Sequence, residues 1–422
     1  MKYIKKELPS YNLHMIKTDK FKSTYIEVIF SNEIKKENIT INNFLSSYLT
    51  YSTKKYNNKI KYARKLEELY AASVFSNVDR LGKMFNVDFN MRVLNDKYTE
   101  DGLLKQAVDF LYEVLFNPNV VNDEFDKDVF KVIKNNEQSR IERFKENQRD
   151  YSILKLYELF DKDAPYAFNL KGYIEDLNKI TPKNLYSYYK EFIKCNNIDI
   201  FIIGDIDFDE TENIFANKFK FNNKKDDSYD AIIECRRHRK ERQEVVEKDN
   251  TNQAKLSIAC TIEDITKFEK EYVLNLYNII LGGSADSKLF KNIREKYSLC
   301  YYASSNANKL DNVLTISSGI NKENYSKMLI LIDKEMKDME KGKFSDEELD
   351  NAIKYYISAL DEIDDKPVVL LASYYAIAKL GVASIEERKK KIKTVTREDI
   401  MALAKKIHID TIFLLGGDKK WL

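Results

Sequence analysis

The chain repeats one order of elements, and that duplication constrains its fold more than any single motif. Ile180-Thr181-Pro182 opens a helix that leads to an apolar strand at 198–203 and then Gly204-Asp205. Val395-Thr396-Arg397-Glu398-Asp399 opens a second helix, which leads to a strand at 411–415 and then Gly416-Gly417-Asp418. Thr is a preferred N-cap, Pro suits the first helical position, and an acid at N3 completes a capping box. Two further correspondences support the repeat. Ser345-Asp-Glu-Glu and Asn122-Asp-Glu are each expected to cap a long helix. Phe85, Val87, Phe89, Met91 and Val93 alternate with polar residues ahead of a helix at about 99–115. In the same way the strand at 313–320 precedes a helix at about 322–340. Alternation of period two followed by period 3.6 marks a half-buried strand feeding a helix.

Each half is therefore expected to be an α+β layer, an antiparallel sheet with helices packed on one face. A chain of 422 residues exceeds what one core supports. The expected domains are 1–220 and 246–422, joined by a charged linker at 221–245. The surrounding stretch, 220–248, contains Asn222-Asn223-Lys224-Lys225-Asp226-Asp227 and Arg236-Arg237-His238-Arg239-Lys240-Glu241-Arg242. Acids interleave its bases, so it reads as a solvated linker and not a nucleic-acid patch.

Seventy Lys and Arg against 68 Asp and Glu leave a net charge of +2, with no footprint for nucleic acid or an anionic membrane. The N-terminal residues lack the apolar core of a signal peptide, and no apolar run is long enough to span a bilayer. Cys195, Cys235, Cys260 and Cys300 form no C-x-x-C and read as free thiols of a cytoplasmic protein. Three histidines, His14, His238 and His408, are too far apart in sequence to share a helical turn, so no metal site is expected. No Ser/His/Asp, Cys/His or phosphate-loop arrangement points to other chemistry.

The stretch 281–302, LeuGlyGlySerAlaAspSerLysLeuPheLysAsnIleArgGluLysTyrSerLeuCysTyrTyr, reads as a Gly-rich turn, an amphipathic helix and the start of a strand. It closely resembles the second-domain signature of the insulinase/pitrilysin peptidases, which include the mitochondrial processing peptidase. In that family the residues matching Arg294 and Tyr301 hold the substrate and help stabilise the reacting carbonyl. A Tyr hydroxyl or a cation beside a tetrahedral oxyanion lowers the barrier to peptide hydrolysis. Gly282 and Gly283 are expected to let a neighbouring chain approach the backbone. Ser298 and Cys300 stand where the family usually has a small Gly or Ala.

The family's inverted zinc motif, H-x-x-E-H, is missing. The matching segment is 40–53, after a strand at 24–30. Asn43 falls at the first His, Ser46 at the Glu and Ser47 at the second His, while the third ligand, a Glu on a later helix, falls near Asn135. Asn and Ser are poor zinc ligands, and neither is a carboxylate base. Phe44, Leu45, Tyr48 and Leu49 also give this segment the apolar face of an ordinary helix.

The resemblance covers about residues 10–418 and implies two homologous domains of the processing-peptidase (LuxS-like metallohydrolase) fold, forming half of a clamshell. Chains of this size in the family work as pairs. The implied function is a non-catalytic, substrate-binding subunit of a heterodimeric bacterial zinc peptidase. It would pair with a zinc-bearing H-x-x-E-H sister and a peptide substrate, with the zinc on the sister; self-association of the isolated chain stays open. Among bacterial members the chain is similar to zinc-less ones labelled as associated with elongation factor P aminopentanol modification. The alternative is a catalytically inactive structural or scaffold homologue of the same fold.

Overall fold

The computed structural model describes residues 1–416 other than Asn196, Lys224, Asp227, Asn250 and Asn252. Gly417 and Asp418 of the second Gly-Asp end therefore lie outside the described residues. Two compact units emerge. The first comprises Met1–Arg143, Asn169–Ala231 and Ile363–Leu380; the second comprises Phe144–Phe168, Ile232–Glu362 and the chain from Gly381 onward. They differ from the continuous ranges 1–220 and 246–422 because each takes one segment from the other half of the chain.

Strands in the first unit are β1 (Lys2–Glu7), β2 (Asn12–Lys17), β3 (Ser23–Glu33), β4 (Ser73–Leu81), β5 (Met84–Leu94), the short β6 (Val120–Val121) and β7 (Glu124–Phe125), and β8 (Ile198–Gly204). The six long strands form one sheet in the order β1-β2-β8-β3-β5-β4. The second unit has β9 (Gln243–Glu247), β10 (Ala254–Ile262), β11 (Cys300–Asn308), β12 (Val313–Ile320) and β13 (Ile407–Leu415), in the order β11-β12-β10-β13-β9. Both sheets are antiparallel apart from one pair each. β2 runs parallel to β8, and β9 runs parallel to β13. The parallel pair falls at the same place in each repeat.

Every residue of β8 is buried, so both faces of its sheet need cover. One face carries most of the helices. Phe192 of helix Pro182–Phe192 stacks on Phe30 with ring centroids 4.6 Å apart. The other face is covered by helix Pro367–Leu380, whose Leu370, Leu371 and Tyr375 sit on Ile16, Ile29, Phe201 and Ile203. Burying side chains of this kind contributes about 1.5–3 kcal/mol each, enough to fix a helix borrowed from the other half. The second unit mirrors this. Leu276, Tyr277, Met328, Ile332 and Leu403 pack on Leu256, Ile258, Ile316 and Leu414. On the opposite face, Leu156 and Phe160 of helix Gln148–Phe160 pack on Ala259, Val313, Phe413 and Leu415. The two halves have thus traded one helix each.

A buried acid anchors each trade. Asp199 of β8, fully buried, accepts from His14 Nε2 at 3.0 Å and pairs with Lys379 of the borrowed helix at 2.8 Å. Asp410 of β13, also fully buried, pairs with Arg236 and Arg239. Arg239 Nη2 further donates to the carbonyls of Leu159 and Phe160 at 3.1 and 3.2 Å. The arginine-rich part of the expected solvated linker is therefore docked on the second sheet, because buried Asp410 needs counter-charge.

The expected helix starts at Thr181, Thr396 and Ser345 are complete capping boxes. Asn122 is different. Asn122 and Asp123, both at positive φ, form the tight turn between β6 and β7, and the helix Lys127–Glu142 starts after Asp126 instead. Asn and Asp tolerate that left-handed backbone better than most residues. Among the described residues no single helix is long and apolar enough to cross a membrane.

Candidate functional site

In the first unit, the positions of the absent zinc motif lie on helix Lys36–Leu49, which packs on helix Lys127–Glu142. Asn43 and Ser46 are buried. Asn43 Nδ2 donates to the carbonyls of Ile39 and Leu170 at 2.9 and 3.0 Å, and Ser46 Oγ donates to Asn43 O at 3.0 Å. Ser47 Oγ donates to Glu137 Oε1 at 2.8 Å. Glu137, buried on the neighbouring helix, holds its other oxygen against the guanidinium of Arg140. Glu137 is therefore the carboxylate that meets the helix of Asn43 and Ser47. Asn135, two residues earlier on the same helix, is exposed. The loop 169–173 lies over this cluster. Tyr173 N donates to Thr40 Oγ1 at 2.9 Å, and Gly172, at φ +95°, is so close that a Cβ there would sit 2.9 Å from that oxygen.

These residues do not fit a zinc ion. One carboxylate remains, and Arg140 already neutralises it. The other oxygen left free, Asn43 Oδ1, is a neutral amide without a hydrogen-bond partner. Three protein ligands and a general base are what a hydrolytic site requires, and this cluster lacks them.

The second unit carries the Arg/Tyr segment. A wide helical turn runs over Ile279–Gly283 and another over Leu289–Glu295, the latter closed by Lys296 N to Lys291 O at 3.0 Å. Such i→i+5 turns are uncommon and recur at functional positions. Gly282 and Gly283 are explained inside the chain. A Cβ on Gly282 would stand 2.6 Å from Ser305 N, and one on Gly283 2.7 Å from Asn278 Nδ2. Gly282 lets the helical turn lie against β11 and Gly283 lies against Asn278 of the preceding helix, so both close approaches are intramolecular.

Arg294 is exposed, with its guanidinium 4.6 Å from the ring centre of Phe290. It also acts on Cys300. Burial pushes that thiol up, while a hydrogen bond from Ser318 and the Arg294 charge pull it down. Ser298, at φ 51°, turns the chain into β11. There Cys300 pairs with Ile320 and Tyr302 with Gly319, leaving Tyr301 as the extra residue of a β-bulge. A bulge re-aims its side chain, and Tyr301 is 62% exposed. A second pair, unseen in the sequence, stands beside it. Arg149 lies 4.8 Å over the Tyr302 ring and donates to Ser304 Oγ and Ser317 Oγ at 3.3 and 3.4 Å.

Comparison with known proteins agrees with this geometry. Residues 179–356 match the family described as Peptidase M16 inactive domain, a range that takes in both the Thr181-capped helix and the Arg/Tyr segment. The probable inactive metalloprotease YmfF of Bacillus subtilis is 29% identical over 411 residues, covering 96% of this chain and 95% of that protein. The crystal structure of a conserved protein from Enterococcus faecalis V583 superposes with a TM-score of 0.90 at 27% identity, over 99% of both chains. These likenesses place the chain beside proteins of the M16/insulinase peptidase family. A peptidase M16 inactive domain from Pseudomonas fluorescens shares the fold, with a TM-score of 0.78 at 17% identity over 99% of both chains.

The matched domain and YmfF carry the description inactive. Asn43, Ser46 and Ser47 of this chain belong to the packing of two helices. The sequence pointed to those three positions and to Arg294 and Tyr301. It did not point to Glu137 and Arg140, whose i,i+3 spacing on an amphipathic helix looks like any surface ion pair.

Proposed function

We propose that this M16 homologue works by binding and not by hydrolysis. One observation carries the reading: the last carboxylate at the zinc position, Glu137, is held by Ser47 and Arg140 and has no role left as a ligand. In its finer form, the chain is the substrate-binding half of a two-subunit zinc peptidase in the cytoplasm. Arg294 and Tyr301 would meet a peptide whose scissile carbonyl is activated by zinc on a sister subunit. The exposed, bulge-mounted Tyr301 and the exposed Arg294 support this form, because packing requires neither side chain to stand there. The four cysteines, all free, suit a reducing compartment. The pointer to elongation factor P modification has no counterpart among the residues of either site.

The second reading is a structural or scaffold homologue. The closed Asn43–Ser47–Glu137–Arg140 cluster and the relatives described as inactive favour it over the two-subunit form. Co-purification from native lysate, followed by peptidase assays of the recovered complex, separates the two. The binding-subunit form expects a zinc-bearing M16 partner, and a loss of about 10²–10³ in rate on removing an oxyanion-side donor by Tyr301→Phe, with the complex still assembled. An assembled complex whose rate is indifferent to Arg294→Ala and Tyr301→Phe would leave the scaffold.

A further inference from the structure

Two of the chain's three histidines converge in the second unit, although 170 positions separate them. We propose that His238, Glu263 and His408 bind a divalent transition-metal ion of the zinc class, at a place unrelated to the M16 zinc motif. Each offers one ligand atom, and the three atoms lie within 4.8 Å of one another. His238 Nδ1 is 2.8 Å from Glu263 Oε1, and the two imidazole rings are 4.3 Å apart between centres. A tetrahedral ion with bonds of about 2.0–2.1 Å wants its ligand atoms about 3.3 Å apart. The group closes by at most about 1.5 Å, the difference between 4.8 and 3.3, which ring rotation supplies.

The site is built into rigid elements. His408 lies on β13 directly opposite Thr261 of β10, and Glu263 follows the end of β10. His238 lies in the segment that Arg236 and Arg239 fasten to Asp410. Glu263 is buried and oriented by three donors. These are Thr261 Oγ1 at 3.2 Å, the His238 amide at 2.7 Å and Arg237 Nη1 at 2.9 Å. Such outer contacts fix the direction of a ligating carboxylate. Arg237 pairs with Glu263 through Oε2 only and shares its guanidinium with Asp264, at 2.6 and 2.9 Å, while Oε1 faces the His238 ring.

Two imidazoles and one carboxylate, with a fourth position for water, suit Zn²⁺, Co²⁺ or Ni²⁺. Mg²⁺ and Ca²⁺ prefer all-oxygen shells. The ion would staple the 232–242 segment to the sheet. Neighbouring positions give no sequence signal for it, because its ligands come from three distant places.

The test uses the full chain, stripped with chelator and titrated calorimetrically with zinc. One zinc per chain is expected, with His408→Asn and Glu263→Gln each weakening it by on the order of 100-fold. Ser47→Ala, at the family's zinc position, should leave the stoichiometry unchanged. Zinc should raise the unfolding temperature of the wild type by mass action and leave that of His408→Asn unmoved. If the variants fail to fold, Co²⁺ added to the wild type still decides, since an intense tetrahedral visible spectrum is expected. Zinc binding that survives both substitutions would overturn the proposal. So would a wild type that takes up no zinc, or a pale octahedral cobalt spectrum.

Discussion

The helix pair at Asn43–Ser47 and Glu137–Arg140 and the segment 282–301 are the two places where the chain resembles a peptidase's catalytic apparatus, and they are built in opposite ways. At the first, side chains that would face a metal are turned onto one another. Ser47 donates to Glu137, Glu137 pairs with Arg140, and a loop seals the group through Asn43 and Thr40. At the second, the backbone is packed tightly while Arg294 and Tyr301 remain exposed. The contrast is between a closed, buried polar cluster and an open surface. Inside the helix pair the polar groups answer one another, because a buried unpaired charge or donor is costly. Solvent-exposed side chains need no such pairing.

This comparison predicts where substitutions act. The largest effect on stability is expected from Gly282→Ala. Its Cβ would meet the Ser305 backbone nitrogen at 2.6 Å, which cannot yield like a flexible side-chain tip. A loss of about 2–3 kcal/mol is expected by urea unfolding. An unchanged midpoint would show that the turn is loosely packed and restore the idea that the glycine admits another chain.

Arg140→Ala comes next. It strips Glu137 of its counter-charge and leaves Ser47 as partner, at a cost of about 1.5–3 kcal/mol. Its effect on peptide binding should be nil. A loss of binding without loss of stability would mean that the old zinc position still meets ligand.

The smallest effect on stability belongs to Arg294→Ala and Tyr301→Phe. Both side chains are exposed, so unfolding should shift by no more than about 0.5 kcal/mol. A larger shift in either would move that residue from the surface class to the packing class and erase the contrast.

What the sequence made legible was local. The capping boxes at Thr181, Ser345 and Thr396 form within four residues, so their chemistry is written in adjacent letters. The strand at 85–93 and the helix carrying Asn43 and Ser47 follow from periodicity alone. The exchanged helices Gln148–Phe160 and Pro367–Leu380 were hidden, because an apolar helix face does not say which sheet it will cover. The one clue was the unbroken apolar run at 200–203, which forecasts a strand covered on both sides. Asp199 and Asp410 occupy equivalent places in the repeat, each after an Ile near the start of an apolar strand. Their partners lie far away in sequence, His14 and Lys379 for one, Arg236 and Arg239 for the other. The arginine run at 236–242 looked solvated for the same reason. Charge interleaving describes a segment's composition, and only the fold shows that Asp410 is waiting beneath it.

Peptide binding tests the account most directly. The isolated chain would be mixed with a fluorescent unfolded peptide, with and without added zinc, while anisotropy and intact-mass analysis report binding and cleavage together. The account predicts saturable binding that Arg294→Ala and Tyr301→Phe weaken and Arg140→Ala leaves alone, with the peptide intact throughout. Cleavage of the peptide by the chain on its own, or binding that ignores Arg294 and Tyr301 but follows Arg140, would contradict it.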